Sequence, residues 1–216
     1  QGIALPPDRD ILHTIPQEFI VDTLEKIDNP IGLTGKRLEG HVHLVTASTT
    51  AMKNLIESAE ELGININGLV FKPLASAMPA LTKDEIKLGV SIIDIGSTTT
   101  SIAVYNEGSI RHSAVIPIGS SSITNDIAVM LRISIEKAEE IKIKYASAKS
   151  SLSSEKLEFE VPLNEESQMI SENELSQYVE ARMEEIFQLA HNEIKRAGID
   201  SNLTYGVVLT GGGAQL

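Results

Sequence analysis

The spacing of apolar positions changes several times along the chain, and each change marks an element. Ile11 to Asp22 and Arg37 to Ala47 carry β-favouring residues in partial alternation and predict two strands, with turns at Asn29-Pro30 and Thr34-Gly35. From Thr49 the apolar positions Met52, Leu55, Ile56, Ala59 and Leu62 step by three and four, which describes one helical face stopped by Gly63. Asn67 to Phe71 predicts a short strand, and Pro73 suits the first position of a helix through Leu81. Val90 to Ile95 is a β-branched strand carrying Asp94 near its end; Gly96 and four hydroxyl side chains make a tight turn, and a second alternating strand runs to Tyr105.

After a turn at Asn106-Glu107-Gly108 the pattern returns as a strand over Ser109 to Pro117. Two helices follow, Ser122 to Leu131 and Ile135 to Ala146, the second with Ser134 as N-cap. Lys149 to Glu155 is a polar loop and Leu157 to Val161 alternates as an edge strand. Ser171 and Glu174 have capping-box spacing and open a long helix to Ala197, with Leu175, Tyr178, Val179, Ile186, Leu189, Ala190 and Ile194 as its buried stripe and Gly198 as its end. Tyr205 to Thr210 is an apolar strand that runs directly into Gly211-Gly212-Gly213. The alternation of helices and strands belongs with an α/β core.

Composition narrows the function. The chain has 216 residues, 42% hydrophobic and 22% charged, which is globular and enough for a core of one or two domains. It has no cysteine, so a disulfide framework, a thiolate metal site and a cysteine nucleophile are excluded, and a reducing cytosol is the expected compartment. No signal peptide or apolar run of membrane-spanning length is present. The net charge of −12 argues against nucleic acid as a partner and against direct adhesion of this segment to anionic lipid.

The chemistry concentrates at two glycine-containing turns. Small residues at Gly96 to Thr99 let the backbone close on an anion, hydroxyls and exposed N–H groups donate to it, and Asp94 is placed to hold a hydrated divalent ion. An ordinary hairpin reads the same way. Gly211 to Gly213 let the backbone pass close to a flat or charged ligand, or form a flexible turn. Glu139 and Lys142 lie three apart on one helical face, as a ligand-binding pair or an intrahelical salt bridge. His41 and His43 have the spacing of a metal pair, but no third ligand is evident and a structural role is expected.

The combination of a strand-Asp-x-Gly-hydroxyl hairpin with a strand-Thr-Gly-Gly-Gly loop is similar to the second phosphate loop and the adenosine loop of the actin, sugar kinase and heat-shock chaperone superfamily. Within it, Leu12 to Asp22, Gly35 to Thr46, Pro73 to Ala77, Ile110 to Pro117, Ala138 to Lys144 and Gly206 to Gly212 resemble the FtsA family of bacterial cell-division proteins. The resemblance is collinear and faint only from about Ser147 to Asn173. It implies an α/β, actin-like (ribonuclease H-like) ATPase fold, partial, with a small α+β subdomain inserted at the N-terminal end. The implied divisions are 1–47 for the inserted subdomain, 48–88 for the end of the first actin-like domain, and 89–216 for the second, with an upper lobe at about 122–197. The abrupt start at Gln1 and the stop at Leu216 fit an internal fragment.

The resemblance also implies ATP or ADP with Mg as cofactors. Asp94, Gly96, Ser97, Thr98 and Thr99 would meet the phosphates, Asp94 would reach the metal through water, and Glu139, Lys142, Gly211, Gly212 and Gly213 would surround the adenosine. Where the family hairpin reads Asp-Ile-Gly-Gly-Gly-Thr-Thr-Asp, this chain has Ser97, Thr98 and, in place of the second carboxylate, Ser101, which weakens the case for tight magnesium dependence. Where actin-like ATPases commonly carry the Glu or Gln that positions the attacking water, this chain has Lys72, so slow or absent hydrolysis is expected. The implied role is an ATP-binding adaptor that self-associates into filaments, links the FtsZ ring to the cytoplasmic membrane, and recruits septal proteins through the inserted subdomain. Membrane attachment would run through a C-terminal helix not in this chain, leaving the protein peripheral on the inner face at the division site. Exposed Arg182 and Glu185 on the long helix are candidates for the FtsZ contact. Two alternatives stay open: an actin-like scaffold of pilus assembly, and a hydrolysing kinase or ATPase of the same fold.

Overall fold

The structure, a computed structural model, describes residues 4–163, 166–199 and 203–216. It opens with three antiparallel strands, β1 (Arg9–Val21), β2 (Leu24–Ile27) and β3 (Leu38–Ser48), in the order β2-β1-β3. The long β1/β3 pairing carries register shifts near Ile11 and Pro16. β2 was not legible in the sequence because Leu24-Glu25-Lys26-Ile27 is short and mostly exposed, with Asp22 and Lys26 both at positive φ. Helix α1 (Thr49–Glu60) follows, capped by the Ser48 hydroxyl accepting from Ala51 N, and Gly63 at φ +76° lies beyond its end. Its predicted apolar face is only partly covered: Met52, Ile56 and Ala59 are half-buried, whereas Leu55 and Leu62 are exposed. Asn67 to Phe71 does not form the predicted strand, because no described strand lies alongside to pair with it. Instead it runs extended into α2 (Lys72–Ala80), with Pro73 at the second helical position. A short α3 (Lys83–Leu88) opens on a full capping box between Thr82 and Glu85.

The central sheet has the order β6-β5-β4-β9, made of β4 (Val90–Ile95), β5 (Thr100–Asn106), β6 (Ser109–Ile116) and β9 (Val207–Thr210). β4 pairs antiparallel with β5 and parallel with β9, so the carboxyl ends of β4 and β9 lie side by side. Every residue of β4 is buried. The reason is that both faces are covered, which turns alternation into a continuous apolar run. Ile93, Ile95, Ile102 and Val104 face a core formed with α4 (Ser120–Leu131), α5 (Ile135–Tyr145) and α6 (Glu172–Arg196); Val90, Ile92, Ala103 and Tyr105 face Ala77 of α2 and Leu81 beyond it. With a period of two, Asp94 shares the α2 face with Ile92.

The predicted edge strand is β7 (Glu158–Leu163), paired with an unforeseen β8 (Glu166–Ser171) as a separate two-stranded hairpin. Phe159 of β7 stacks on Tyr145 of α5, with ring centroids 4.2 Å apart and an interplanar angle of 2°. α6 begins on the Ser171 hydroxyl, which accepts from Glu174 N. It buries Leu175, Val179, Ile186, Ala190 and Ile194 as expected, with Met183 and Ser176 in addition, while Tyr178 and Leu189 stay at the margin. No helix of the described residues is long and apolar enough to cross a membrane.

Candidate functional site

The predicted phosphate turn lies between β4 and β5 and is held by its carbonyls. Gly96 N donates to Thr99 O at 2.9 Å, Ser120 N to Gly96 O at 2.9 Å, and Ser121 N to Ser97 O at 2.8 Å, with Ser121 Oγ donating to the same oxygen at 2.7 Å. The first residues of α4 therefore clamp the turn from behind. Gly119 makes that approach possible, since a Cβ there would stand 2.5 Å from Ser97 O. Ser97 and Thr98 are exposed at the tip, and among the described residues their amides have no hydrogen-bond partner. Free N–H groups beside hydroxyls are what an anion needs.

The glycine loop crosses the end of β4. Gly211 has φ +89° and ψ 165°, and a Cβ there would lie 2.4 Å from Ile95 O and 2.7 Å from Asp94 Oδ1. A Cβ at Gly213 would lie 2.5 Å from Ile95 Cγ2. Gly212 differs: nothing lies within 4 Å of the position its Cβ would take. Two of the three glycines are thus required by packing on β4, and the middle one faces open space. That space is a cavity of about 330 Å³ lined by Ser120, Glu139, Lys142, Ile143, Gly212 and Gly213, among others. Of the predicted site residues, Glu139, Lys142, Gly212 and Gly213 line this cavity, whereas Asp94, Gly211 and the 96–99 turn do not; the turn adjoins it through Ser120, whose N donates to Gly96 O.

Glu139 and Lys142 are an intrahelical pair, 2.7 Å apart, and both also line the cavity. Lys142 is only 6% exposed and donates to Thr124 Oγ1 at 2.9 Å. Thr124 Oγ1 in turn donates to Glu139 Oε2 at 2.5 Å. Partial burial disfavours the Glu139 carboxylate, but the Lys142 and Thr124 hydrogen bonds outweigh it and hold the group below its ordinary value of 4.5. Thr124 escaped the sequence reading because nothing in its own helix marks it; only the packing of α4 on α5 brings it to the pair.

Asp94 is buried and doubly engaged. Ser76 Oγ donates to Oδ2 at 2.5 Å, and Lys72 Nζ lies 2.8 Å from Oδ1. The lysine sits in ion-pair contact but off the direction of a hydrogen bond, so Oδ1 has no hydrogen-bond partner. Lys72 therefore reaches the 96–99 turn, its Nζ 2.9 Å from where a Cβ on Gly96 would stand, with half of its side chain still exposed. Its helix is anchored from the N-terminal sheet, where His13 Nε2 accepts from Phe71 N at 2.9 Å. His41 contacts Glu18 and His43 contacts Ser113, and no cluster of three ligand-type side chains occurs among the described residues.

Arg182 is not the free, exposed side chain predicted. Its guanidinium makes a two-point contact with Asp126 of α4, at 2.7 and 3.0 Å, and also pairs with Glu185. These residues border a groove of about 640 Å³ between α4 and α6, lined also by Val129, Met130, Tyr178 and Ala181.

A four-stranded sheet covered on both faces, with a phosphate-type turn after β4 and a glycine loop after β9, is the partial form of an actin-like (ribonuclease H-like) ATPase fold, here with a small subdomain inserted at its N-terminal end. Solved structures with this arrangement include MreB5 of Spiroplasma citri bound to AMPPNP, with TM-score 0.62 and 22% identity over 79% of this chain and 55% of that one. A PilM–PilN complex of type IV pilus biogenesis covers 99% of this chain and 52% of that one, with TM-score 0.66 and 17% identity. The family model for cell division protein FtsA matches residues 91–216, and that for the SHS2 domain inserted in FtsA matches residues 1–46. Cell division protein FtsA of Pseudomonas aeruginosa is 40% identical over 218 residues, covering 100% of this chain and 52% of its own length. The Escherichia coli (strain K12) protein is 35% identical over 225 residues, covering 100% of this chain and 54% of its own length. The chain belongs to the FtsA family of cell-division proteins, and it spans about half the length of the curated relatives it matches.

Proposed function

We propose that this chain is the nucleotide-binding part of an actin-like adaptor of bacterial division. The observation that carries the reading is that the 211–213 glycine loop packs on the end of β4, next to the clamped 96–99 turn, and lines a cavity together with Glu139 and Lys142, with Gly212 the one of the three glycines that has no packing reason for lacking a side chain. ATP or ADP would place its phosphates at Asp94, Gly96, Ser97, Thr98 and Thr99, and its adenosine between Glu139, Lys142 and the glycines. The AMPPNP-bound and ADP-bound MreB5 structures support a nucleotide as the ligand. Closure of the lobes on nucleotide would bias self-association into filaments, because binding to one state raises its population. Hydrolysis is slow or absent in this reading: the side chain that the start of α2 brings to the turn is a lysine in ion-pair contact with Asp94, which is not placed to act as a base.

The domain divisions at 47/48 and 88/89, with an upper lobe over about 122–197, belong to the same proposal. So do attachment to the inner membrane face through a segment beyond this chain and recruitment of later septal proteins through the inserted subdomain. For FtsZ, the α4–α6 groove is favoured over the charged face of α6 alone, because Val129 is 75% exposed and Met130 51% exposed at its rim while Arg182 is tied to Asp126. The test is calorimetric titration of the intact protein with the FtsZ C-terminal tail peptide. Saturable micromolar binding, lost in Val129→Glu and weakened in Arg182→Ala or Glu185→Ala, supports the adaptor. No binding to folded protein refutes the FtsZ link.

A further inference from the structure

A magnesium-bound nucleotide needs a carboxylate oxygen with free lone pairs and room for the ion's waters. Asp94 keeps a lone pair free of hydrogen bonds at Oδ1, but the room in front of that oxygen is already taken. Its side chain is 6% exposed, Oδ2 is occupied by Ser76, and Oδ1 faces the Lys72 ammonium on one side and the close approach of Gly211 on the other. The residue opposite it on β5 is Ser101, so that position supplies no second carboxylate. Lys72, in contrast, has half its side chain exposed, and its Nζ lies 2.9 Å from the position of a Cβ on Gly96. The ammonium therefore stands against Gly96, at the start of the 96–99 turn.

From this juxtaposition we propose that Lys72 takes the place of the divalent cation, so that the cleft binds its nucleotide di- or triphosphate as the metal-free anion, with Lys72 as the specificity-determining counter-charge. The inference rests on the nucleotide reading above. A flexible ammonium with three donors serves as a point charge on a phosphate, and the cleft needs no dehydrated ion. Gly96 belongs to the same device, because any side chain there would push the ammonium off the turn.

The test is titration of a fluorescent ADP analogue into the intact protein, in excess EDTA and in excess Mg2+. Wild type is expected to bind equally in both, within about threefold, and Lys72→Met to lose about 10-fold to 100-fold in EDTA, the worth of one charge-assisted hydrogen bond. Added Mg2+ should return part of that loss by using the freed Asp94, and Lys72→Arg should keep the metal independence of wild type. Wild-type binding that collapses in EDTA and returns with Mg2+ overturns the inference while leaving the nucleotide reading intact. Unchanged affinity of Lys72→Met in EDTA also overturns it. Absence of binding in both buffers overturns the nucleotide reading itself, and the inference with it. The wild-type comparison and Lys72→Arg decide the matter even if Lys72→Met does not fold.

Discussion

Replacing each glycine of the 211–213 loop by alanine separates what packing requires from what a ligand requires. At Gly211 the backbone sits at φ +89°, ψ 165°, a region open essentially only to glycine, and the new methyl meets Ile95 O at 2.4 Å. Strain of this kind costs about 1–3 kcal/mol and overpacking about 1–3 kcal/mol more, so Gly211→Ala should lose roughly 2–6 kcal/mol. At Gly213 only the overpacking term applies, against the fully buried Ile95, for a loss of about 1–3 kcal/mol. At Gly212 the methyl enters open space, and with the unfolded chain stiffened the change should stay within about 1 kcal/mol of wild type. Urea unfolding of the intact protein, followed by circular dichroism at constant slope, reads all three. A Gly212→Ala loss as large as that of Gly211→Ala, or a neutral Gly211→Ala, would refute the assignment of these glycines.

Glu139 has a folded-state pKa below its unfolded value, so it contributes stability above pH 4.5 that disappears as pH falls through the lower folded value. Glu139→Gln should therefore flatten the acid limb of the unfolding profile below that pH, and an unchanged acid limb would contradict the Lys142–Thr124–Glu139 linkage. Phe159→Ala removes a buried ring stacked on Tyr145 and should cost about 3–5 kcal/mol, which denaturant unfolding measures. A loss below about 1 kcal/mol would mean the β7–β8 hairpin does not pack on α5 as described.

Much of this fold was legible because its signals are local. The Ser134 and Ser171 caps, most of the stripe of α6 and the β-branched strand β4 follow from residue type and spacing, and these elements stand close to where their patterns put them. What was missed depends on neighbours. β2 and β8 are short strands whose only distinguishing property is the strand they pair with, and Asn67 to Phe71 has strand composition without a partner. At the cleft, glycines and hydroxyls were visible as types, but their division of labour was not. Gly211 and Gly213 look identical to Gly212 in sequence and differ only in what β4 places opposite them. Lys72 lies 22 residues before Asp94, and only the packing of α2 on β4 brings their charges together. Arg182 read as an exposed charge on the long helix until α4 supplied Asp126.

Calorimetric titration of ATP and ADP into the intact protein, beside Gly212→Val, tests the nucleotide cleft most directly. Saturable binding by wild type that is lost in Gly212→Val, while the unfolding midpoint of that variant stays close to wild type, is the predicted result. No binding heat from folded wild-type protein at millimolar nucleotide, or full affinity in Gly212→Val, would contradict the placement of a nucleotide between the 96–99 turn and the glycine loop.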